Sequence, residues 1–334
     1  MQRIDLFLVE HSLAESREQA KRLILAGAVT VNGNTRIKPG QRVPPDAKIV
    51  VQEPQRYVSR GGLKLEKALS IFEVDVENRV ALDVGASTGG FTDCLLQHGA
   101  KFVYAVDVGY GQLAWKLRTH PRVQSIEKTN IRHLTPTLLS RGEVTLKKPP
   151  SKNPLHDSND FISIAVIDVS FISLRTVLPS VIKILTQQNS CQSSVVSLQL
   201  RGGLTESESS LTDNRQPITD NYNIIALLKP QFEAGKVHVK KGGIVSDKQV
   251  HIETIENLSV FVTDKLGATV RGLTYSPIHK NIGNIEYLLW LTIERNTQES
   301  APGKDVQPQQ TAAEIVAEAH EMFRSHQPSA ISHQ

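Results

Sequence analysis

Cysteine is nearly missing from this chain: 334 residues contain two, Cys94 and Cys191. Two thiols provide neither a disulfide framework nor the paired spacing of a zinc site, so both read as reduced and ordinary. The eleven histidines are scattered, with no His-x-x-x-His pair beside a carboxylate, and no metal is expected. Long apolar runs are missing too. No uncharged stretch approaches the roughly 20 residues that a membrane-spanning helix needs. At the N-terminus, MQRIDLFLVEHSL places Asp5 and Glu10 where a signal peptide would be apolar throughout. A cytoplasmic protein with no membrane partner is the expectation.

A large net charge is also lacking, since 38 Lys and Arg against 34 Asp and Glu leave +4. Its placement is uneven. Residues 1–62 hold ten basic and six acidic side chains, a surplus of four that accounts for the whole excess. A basic head on a neutral body points to a polyanionic partner. With 39% hydrophobic and 22% charged residues, the composition is that of a soluble globular protein, long enough for one large domain and a smaller one.

In the head, Ser16 and Gln19 have capping-box spacing and open a helix whose apolar positions Ala20, Leu23 and Ile24 recur at helical intervals up to Gly27. Arg17, Lys21 and Arg22 make a basic ridge on it. AVTVNGNTRIK then alternates its valines around Asn32-Gly33, a hairpin signal, and KIVV (48–51) closes the module near residue 52. Residues 53–62, EPQRYVSRGG, read as a linker carrying Arg56 and Arg60.

From residue 63 the pattern changes. A helical stretch (63–74) leads into VALDVG (80–85), and strands then alternate with helices through KFVYAVDVG, VQSIEKT, ISIAVIDVSF and NIIALLKPQF. Such alternation argues an α/β fold with a mostly parallel sheet covered by helices on both faces. A helix is expected near 174–186 and another over 247–266. Two final strands, 269–278 and 285–294, are joined by a loop, which makes the last strand antiparallel. Residues 141–160 and 187–221 are polar, lack an apolar face and read as surface insertions. The tail, 296–334, reads as flexible, although TAAEIVAEAHEMF can form one amphipathic helix.

DVGASTGGFTD (83–93) lies between a strand and a helix, where glycines let a ligand approach the backbone at the carboxyl end of a sheet. It lacks Gly-Lys-Ser/Thr, and Gly85, Gly89 and Gly90 do not space as G-x-G-x-x-G, which disfavours ATP hydrolysis and NAD. Asp107 closes the next strand, placed to accept both hydroxyls of a ribose. Asp83 adds a second carboxylate, a poor neighbour for pyrophosphate but suited to a cationic, phosphate-free cofactor such as S-adenosylmethionine.

The same rim collects charge. Asp168 ends one apolar run and Lys229 another, Lys64 follows Gly61-Gly62 at the start of a helix, and Glu286 opens the last strand. In a parallel alternating sheet these two lysines and two carboxylates converge beside the glycine loop. Where a base methyltransferase would carry an Asn-Pro-Pro-aromatic run for a flipped base, the chain reads Asp168-Val169-Ser170-Phe171. Phe171 reads as core packing ahead of a stacking surface.

The head resembles the alpha-L RNA-binding motif through Arg3-Ile4-Asp5, Ser16-Arg17, Ala20, Leu23, Ile24, Gly27, Val29 and Val31-Asn32-Gly33. This implies RNA held by shape and phosphates at Arg3, Arg17, Lys21 and Arg22. Separately, Arg56 and Arg60 of the linker are expected to bind RNA and to couple the head to the body once RNA is bound. Residues 1–295 as a whole resemble the TlyA family of ribosomal RNA 2′-O-methyltransferases, long labelled hemolysins. SRGGLKLEKAL, ALDVGASTGGFTDCLLQ, AVDVGYGQL, TNIR, DVSFISL, LLKPQFEAG, KGGIV and GNIEYL carry the resemblance.

The family implies a Rossmann-like class I methyltransferase domain of the FtsJ type over 63–295, behind the α+β head of 1–52. S-adenosylmethionine is then expected against Asp83, Gly85, Ser87, Gly89, Gly90, Phe91, Asp107 and Asn130. The substrate implied is a cytidine ribose in ribosomal RNA or a ribosomal subunit, with no protein partner. The family's Lys-Asp-Lys-Glu tetrad falls on Lys64, Asp168, Lys229 and Glu286. Lys229 is expected to act as base, or to lower the pKa of the hydroxyl by direct hydrogen bonding. Lys64 would hold the hydroxyl, Asp168 would orient Lys229, and Glu286 would anchor Lys64 and the ribose. A non-catalytic RNA-binding assembly factor would leave the four charges unexplained. A membrane-active hemolysin lacks a spanning segment or a strongly amphipathic basic helix.

Overall fold

VALDV, FVYAV and ISIAVI are too short for typical helices and too apolar to face water on either side, and they form the centre of a sheet in which all their residues are buried. The computed structural model describes residues 1–25, 27–34, 36–51, 55–141, 161–199, 221–278, 284–295 and 310–325. They fall into two units, Met1–Arg56 and Tyr57–Gln334.

The smaller unit contains β1 (Gln2–Arg3), α1 (Ile4–Glu10), α2 (Arg17–Leu25), β2 (Val29–Val31), β3 (Arg42–Val43) and β4 (Ile49–Val51). Ile4, Leu8, Ala20, Ile24 and Val29 form its core. The Gln19 N–H donates to Ser16 Oγ (3.2 Å), the cap that its sequence announced. The Asn32-Gly33 turn forms, both residues having positive φ, but the hairpin does not. Val31 bridges Asn34 once, and β2 pairs instead with β4, Val29 opposite Val51. Ile49 and Val51 of β4 pack against the core that holds Val29 and Val31, whereas Asn34 and Arg36 are exposed and Ile37 reaches that core without pairing to β2.

In the larger unit the order is α3 (Gly61–Phe72), β5 (Val80–Val84), α4 (Gly90–Gln97), β6 (Phe102–Val106), α5 (Trp115–Arg118), β7 (Val123–Ile126), α6 (Pro136–Arg141), β8 (Ile162–Ile167), α7 (Leu174–Gln199), β9 (Tyr222–Leu228), α8 (Pro230–Glu233), α9 (Lys248–Leu266), β10 (Thr269–Tyr275), β11 (Tyr287–Ile293) and α10 (Ala312–Ser325). The sheet runs β10-β11-β9-β8-β5-β6-β7. From β9 to β7 all neighbours are parallel, while β11 is antiparallel to both β9 and β10. Leu82, Tyr104 and Ile167 face α7 and α9, and Ala81, Val103 and Ile164 face α3 and α4. Full burial of each such Leu, Ile or Val contributes about 1.5–3 kcal/mol.

Two consequences of this topology position the site. Strand order reverses at β5, which opens a crevice between the carboxyl ends of β5 and β8. And because β11 runs backwards with Tyr287 opposite Leu228, its first residues arrive at the rim where β9 ends, which sets Glu286 beside Lys229.

Three expectations change. The helix expected near 174–186 continues to Gln199, so 187–199 is helix and not insertion. Once Val177, Val181 and Leu185 anchor it, extension through polar residues requires no further nucleation. Residues 142–160 and 200–220 of the two expected insertions lie outside the described residues. The tail is not simply flexible, for α10 buries Ile315, Val316 and Ala319 against α9 and β10 on one face of three- and four-residue spacing. Finally, Tyr57 of the expected linker is buried within the larger unit, its ring lying over Gly62, where a Cβ would come within 2.3 Å of it.

Candidate active site

The turn from β5 into α4 reverses the chain within a few residues, with left-handed φ at Gly85 (85°), Ser87 (49°) and Gly89 (96°). A Cβ on Gly85 would sit 2.4 Å from the Asp168 carbonyl oxygen, so only glycine lets β5 and the end of β8 approach this closely. A Cβ on Gly90 would sit 2.3 Å from Ser59 Oγ and 2.9 Å from the Gly62 nitrogen; its absence lets residues 59–62 close over the loop.

Two expected cofactor residues, Asp83 and Asn130, meet local demands instead, while Asp107 keeps the placement expected of it. Asp83 is fully buried and is not among the residues that line the cavity: Thr92 Oγ1 donates to its Oδ2 (2.6 Å), and Oδ1 has no partner among the described residues. Burial pushes its carboxyl up to about 7, opposed by Thr92 and reinforced by the charges of Asp168 and Asp107. Asp107 accepts the Ser87 N–H on Oδ2 and the Gly109 N–H on Oδ1, both at 2.7 Å. Each oxygen retains further acceptor capacity, so the side chain is held in place without being saturated. Asn130 instead caps a turn, with Oδ1 accepting from the backbone and the Nε of Arg132. Sequence proximity did not reveal that local demand.

Lys229 ends β9 because Pro230 comes next. Proline holds its predecessor extended and then starts α8 without needing an N–H partner. The lysine Nζ donates to Asp168 Oδ1 (2.7 Å) and Ser170 Oγ (2.9 Å). From the first turn of α3, Lys64 Nζ lies 2.5 Å from Glu286 Oε2 and 3.9 Å from Asp168 Oδ2. Glu286, Lys64, Asp168 and Lys229 thus form a run of alternating charge, each side chain 10–22% exposed. They line one cavity of about 520 Å³ together with Gly85, Ser87, Gly90, Phe91 and Arg60.

The sequence did not single out Ser170, although it lies two residues from Asp168. Nor did it mark Gln231, which lines the cavity and whose buried Oε1 has no partner among the described residues. Asn284 also lines it; its Oδ1 accepts the Val245 N–H and its Nδ2 donates to the Gly243 carbonyl, both at 2.7 Å. Behind it, fully buried His251 bridges the Val245 carbonyl (2.9 Å) and the Tyr287 hydroxyl (2.8 Å). Burial holds this imidazole below its ordinary value, against the Val245 carbonyl and Asp247. These ties fix residues 243–245 to both flanks of Glu286.

Phe171 corrects the core-packing expectation. It is 91% exposed, at a left-handed φ of 65°, with its ring 5.3 Å from that of Phe232. The position next to Ser170 at the sheet's rim, where the chain turns away from the core, leaves nothing to cover it. In the smaller unit, Arg3 donates to both oxygens of buried Asp5 and Arg17 Nε to one of them, at 2.9–3.0 Å. Hydrogen bonds from Arg3 hold the Asp5 carboxyl well below the usual carboxylate range. Both arginines are thereby oriented while remaining 41% and 44% exposed. Arg22, Arg56 and Arg60 are exposed and Lys21 is half-buried.

The FtsJ-like methyltransferase family matches residues 57–293, and the S4 domain family residues 2–49. The Mycobacterium tuberculosis protein named 16S/23S rRNA (cytidine-2′-O)-methyltransferase TlyA is 38% identical over 303 residues, covering 90% of this chain and 93% of that protein. Hemolysin A of Brachyspira hyodysenteriae is 36% identical over 287 residues, covering 86% and 98% respectively. A solved structure from Streptococcus thermophilus, provisionally labelled a hemolysin, is 38% identical, covers 97% of each chain and superposes with a TM-score of 0.59. Among the described residues no helix is long and apolar enough to cross a membrane. With one profile spanning the sheet and its rim, another spanning the head, and relatives aligned across both, this chain belongs to the TlyA branch of the FtsJ-like methyltransferase family.

Proposed function

We propose that this protein is a cytoplasmic enzyme that methylates a ribose 2′-hydroxyl, that of a cytidine, in ribosomal RNA, with S-adenosylmethionine as donor. The observation that carries the reading is the run of alternating charge from Glu286 to Lys229, in one cavity with the glycine loop.

The residues present fit the donor. Its adenosine and amino acid parts carry no phosphate, and the loop offers backbone and Ser87 to the cavity, with no lysine or arginine between Asp83 and Asp93, while the Asp107 carboxylate lines a small adjoining pocket that shares Ala86 and Ser87. Gly85, Ser87, Gly90, Phe91 and Asp107 would hold it. When bound, it supplies an electrophilic methyl on a positively charged sulfur.

The protein's task lies on the acceptor side. A ribose hydroxyl is a weak nucleophile, and methylation replaces its proton, so the site must align the oxygen and carry one proton away. Lys229 hydrogen-bonds the oxygen and stabilises the negative charge that develops there as the O–CH3 bond forms, the methyl–sulfur bond breaks and the hydroxyl proton is released to water. Asp168 and Ser170 fix the Lys229 ammonium, and Glu286 holds Lys64 against the other side of the hydroxyl.

Mapping 2′-O-methyl groups on ribosomal RNA from cells with the gene, without it, and with Lys229→Ala tests the reading. One or more 2′-O-methylcytidines should vanish on deletion and return with the native gene only. An identical map in the deletion strain overturns it, and purified Lys229→Ala that binds RNA without methylating it rejects a purely structural role.

A further inference from the structure

Charge in residues 63–334 balances: 38 basic less 10 in the head, and 34 acidic less 6, leave 28 of each. Against that neutral background, the thirteen residues 236–248 carry Lys236, Lys240, Lys241 and Lys248 with only one carboxylate, Asp247. The carboxylate is engaged locally, its Oδ1 accepting the Gln249 N–H at the start of α9 (2.8 Å). All four lysines are exposed, and none is in an ion pair among the described residues; Lys240 Nζ donates to Ser246 Oγ (2.7 Å).

The backbone is shaped to project this charge. The Gly243 N–H donates to the Lys240 carbonyl (3.0 Å) and the Lys240 N–H to the Ile244 carbonyl (2.9 Å), which closes a tight turn with Lys241 and Gly242 at its tip. Gly235, Gly242 and Gly243 have φ of 78°, 92° and 78°, and a Cβ on any of them would meet nothing within 4 Å. These glycines steer the chain outward; they do not relieve crowding. The base of the turn is fixed, because Asn284 ties Gly243 and Val245 to the strand that carries Glu286. Gly242 and Ile244 line the cavity itself. A turn whose Gly242 and Ile244 line the cavity therefore carries Lys240 and Lys241, neither of them in an ion pair among the described residues.

We propose that this lip, Gly235 to Lys248, grips the phosphodiester backbone flanking the target nucleotide, so that the methyltransferase unit has its own polyanion site apart from the head. The inference rests on the reading of the cavity as a ribose-methylating site in RNA. Phosphates are the chemistry that point charges on flexible stems recognise without demanding sequence. An anionic lipid surface offers phosphates as well, but the lip has a single exposed apolar side chain, Val237 (94%), and no amphipathic helix to bury in a bilayer.

The test uses the full-length protein with both tip lysines neutralised, Lys240→Gln/Lys241→Gln, and Lys265→Gln as a control on the exposed end of α9. Methyl transfer to ribosomal RNA from a strain lacking the gene is followed across a KCl series. Abolishing one lysine–phosphate pairing flattens the log–log salt slope by about 0.7, so removing two lowers it by about 1.4 and raises KM for RNA about tenfold near 0.15 M salt. KM should rise far more than kcat falls, and the control should keep the native slope. An unchanged slope and KM in the double variant overturn the proposal. So does loss of binding to phosphatidylserine vesicles with RNA binding intact, which would assign the lip to membranes. If the native protein transfers no methyl at all, the functional reading has failed. Anisotropy of labelled ribosomal RNA over the same salt series then still decides the lip.

Discussion

Gly85→Ala tests the geometry most directly, since it adds one methyl group at the point where β5 meets the end of β8. Two costs follow. An L-residue at a φ of 85° is strained by about 1–2 kcal/mol. The new Cβ would also start 2.4 Å from the Asp168 carbonyl oxygen and 3.2 Å from Val169 Cγ1. Ordinary carbon–oxygen contacts lie near 3.3–3.6 Å, so the Asp168 backbone must retreat by about 1 Å. The Asp168 N–H is bonded to the Val84 carbonyl (3.0 Å) and Asp168 Oδ1 lies 2.7 Å from Lys229 Nζ, so the displacement passes straight into the charged run. A misplacement of about 1 Å costs about 10²-fold in rate. Methyl incorporation into ribosomal RNA should therefore fall about a hundredfold, with a Tm several degrees lower. Gly267→Ala is the matched control. Gly267 also has a positive φ (63°), but nothing lies within 4 Å of its Cβ position, so it should lose stability alone. Native turnover in Gly85→Ala, or an equal loss of activity in Gly267→Ala, would refute this account of the crevice.

The remaining predictions concern buried groups beneath the site. Asp83 has its carboxyl raised to about 7 from roughly 4 in the unfolded chain, so the folded state binds more protons between those values and stability falls as pH rises through that window. Asp83→Asn should remove that slope. Its stability relative to the native protein should grow from pH 4 to 7 by at most about 4 kcal/mol, and a flat difference in denaturant titrations would contradict the assignment. His251→Phe leaves the Tyr287 hydroxyl and the Val245 carbonyl without this partner, at about 1–3 kcal/mol each. It should also lower kcat more than it raises KM for either substrate, because residues 243–245 and Glu286 lose a common support. Lower stability with unchanged kcat would reduce His251 to a packing residue.

Much of the site was legible because its members occupy strand ends and a glycine turn, and both are marked by contiguous residues. Asp168 and Lys229 each follow an apolar run, and Lys64 follows Gly61-Gly62. Asp83 and Asn130 were misjudged for the same reason that the others were found. A carboxylate or amide beside a ligand loop looks alike in sequence whether it faces the ligand, is buried under Thr92, or caps a turn at Arg132. Phe171 was misjudged because exposure depends on what packs above a residue, and its neighbours in the chain do not record that.

By itself, then, the sequence determined the alternation of strand and helix, the positions of turns and caps, the split into a basic head and a neutral body, and the types of residue at each strand end. These follow from periodicity and backbone preference, which act over a few adjacent residues. Tertiary structure alone decided that β2 pairs with β4, that β11 enters antiparallel between β9 and β10, and that α10 docks on α9 and β10. Each of those outcomes is a competition among distant segments to bury apolar surface, and it is the second of them that brings Glu286, 222 residues away in the chain, onto Lys64.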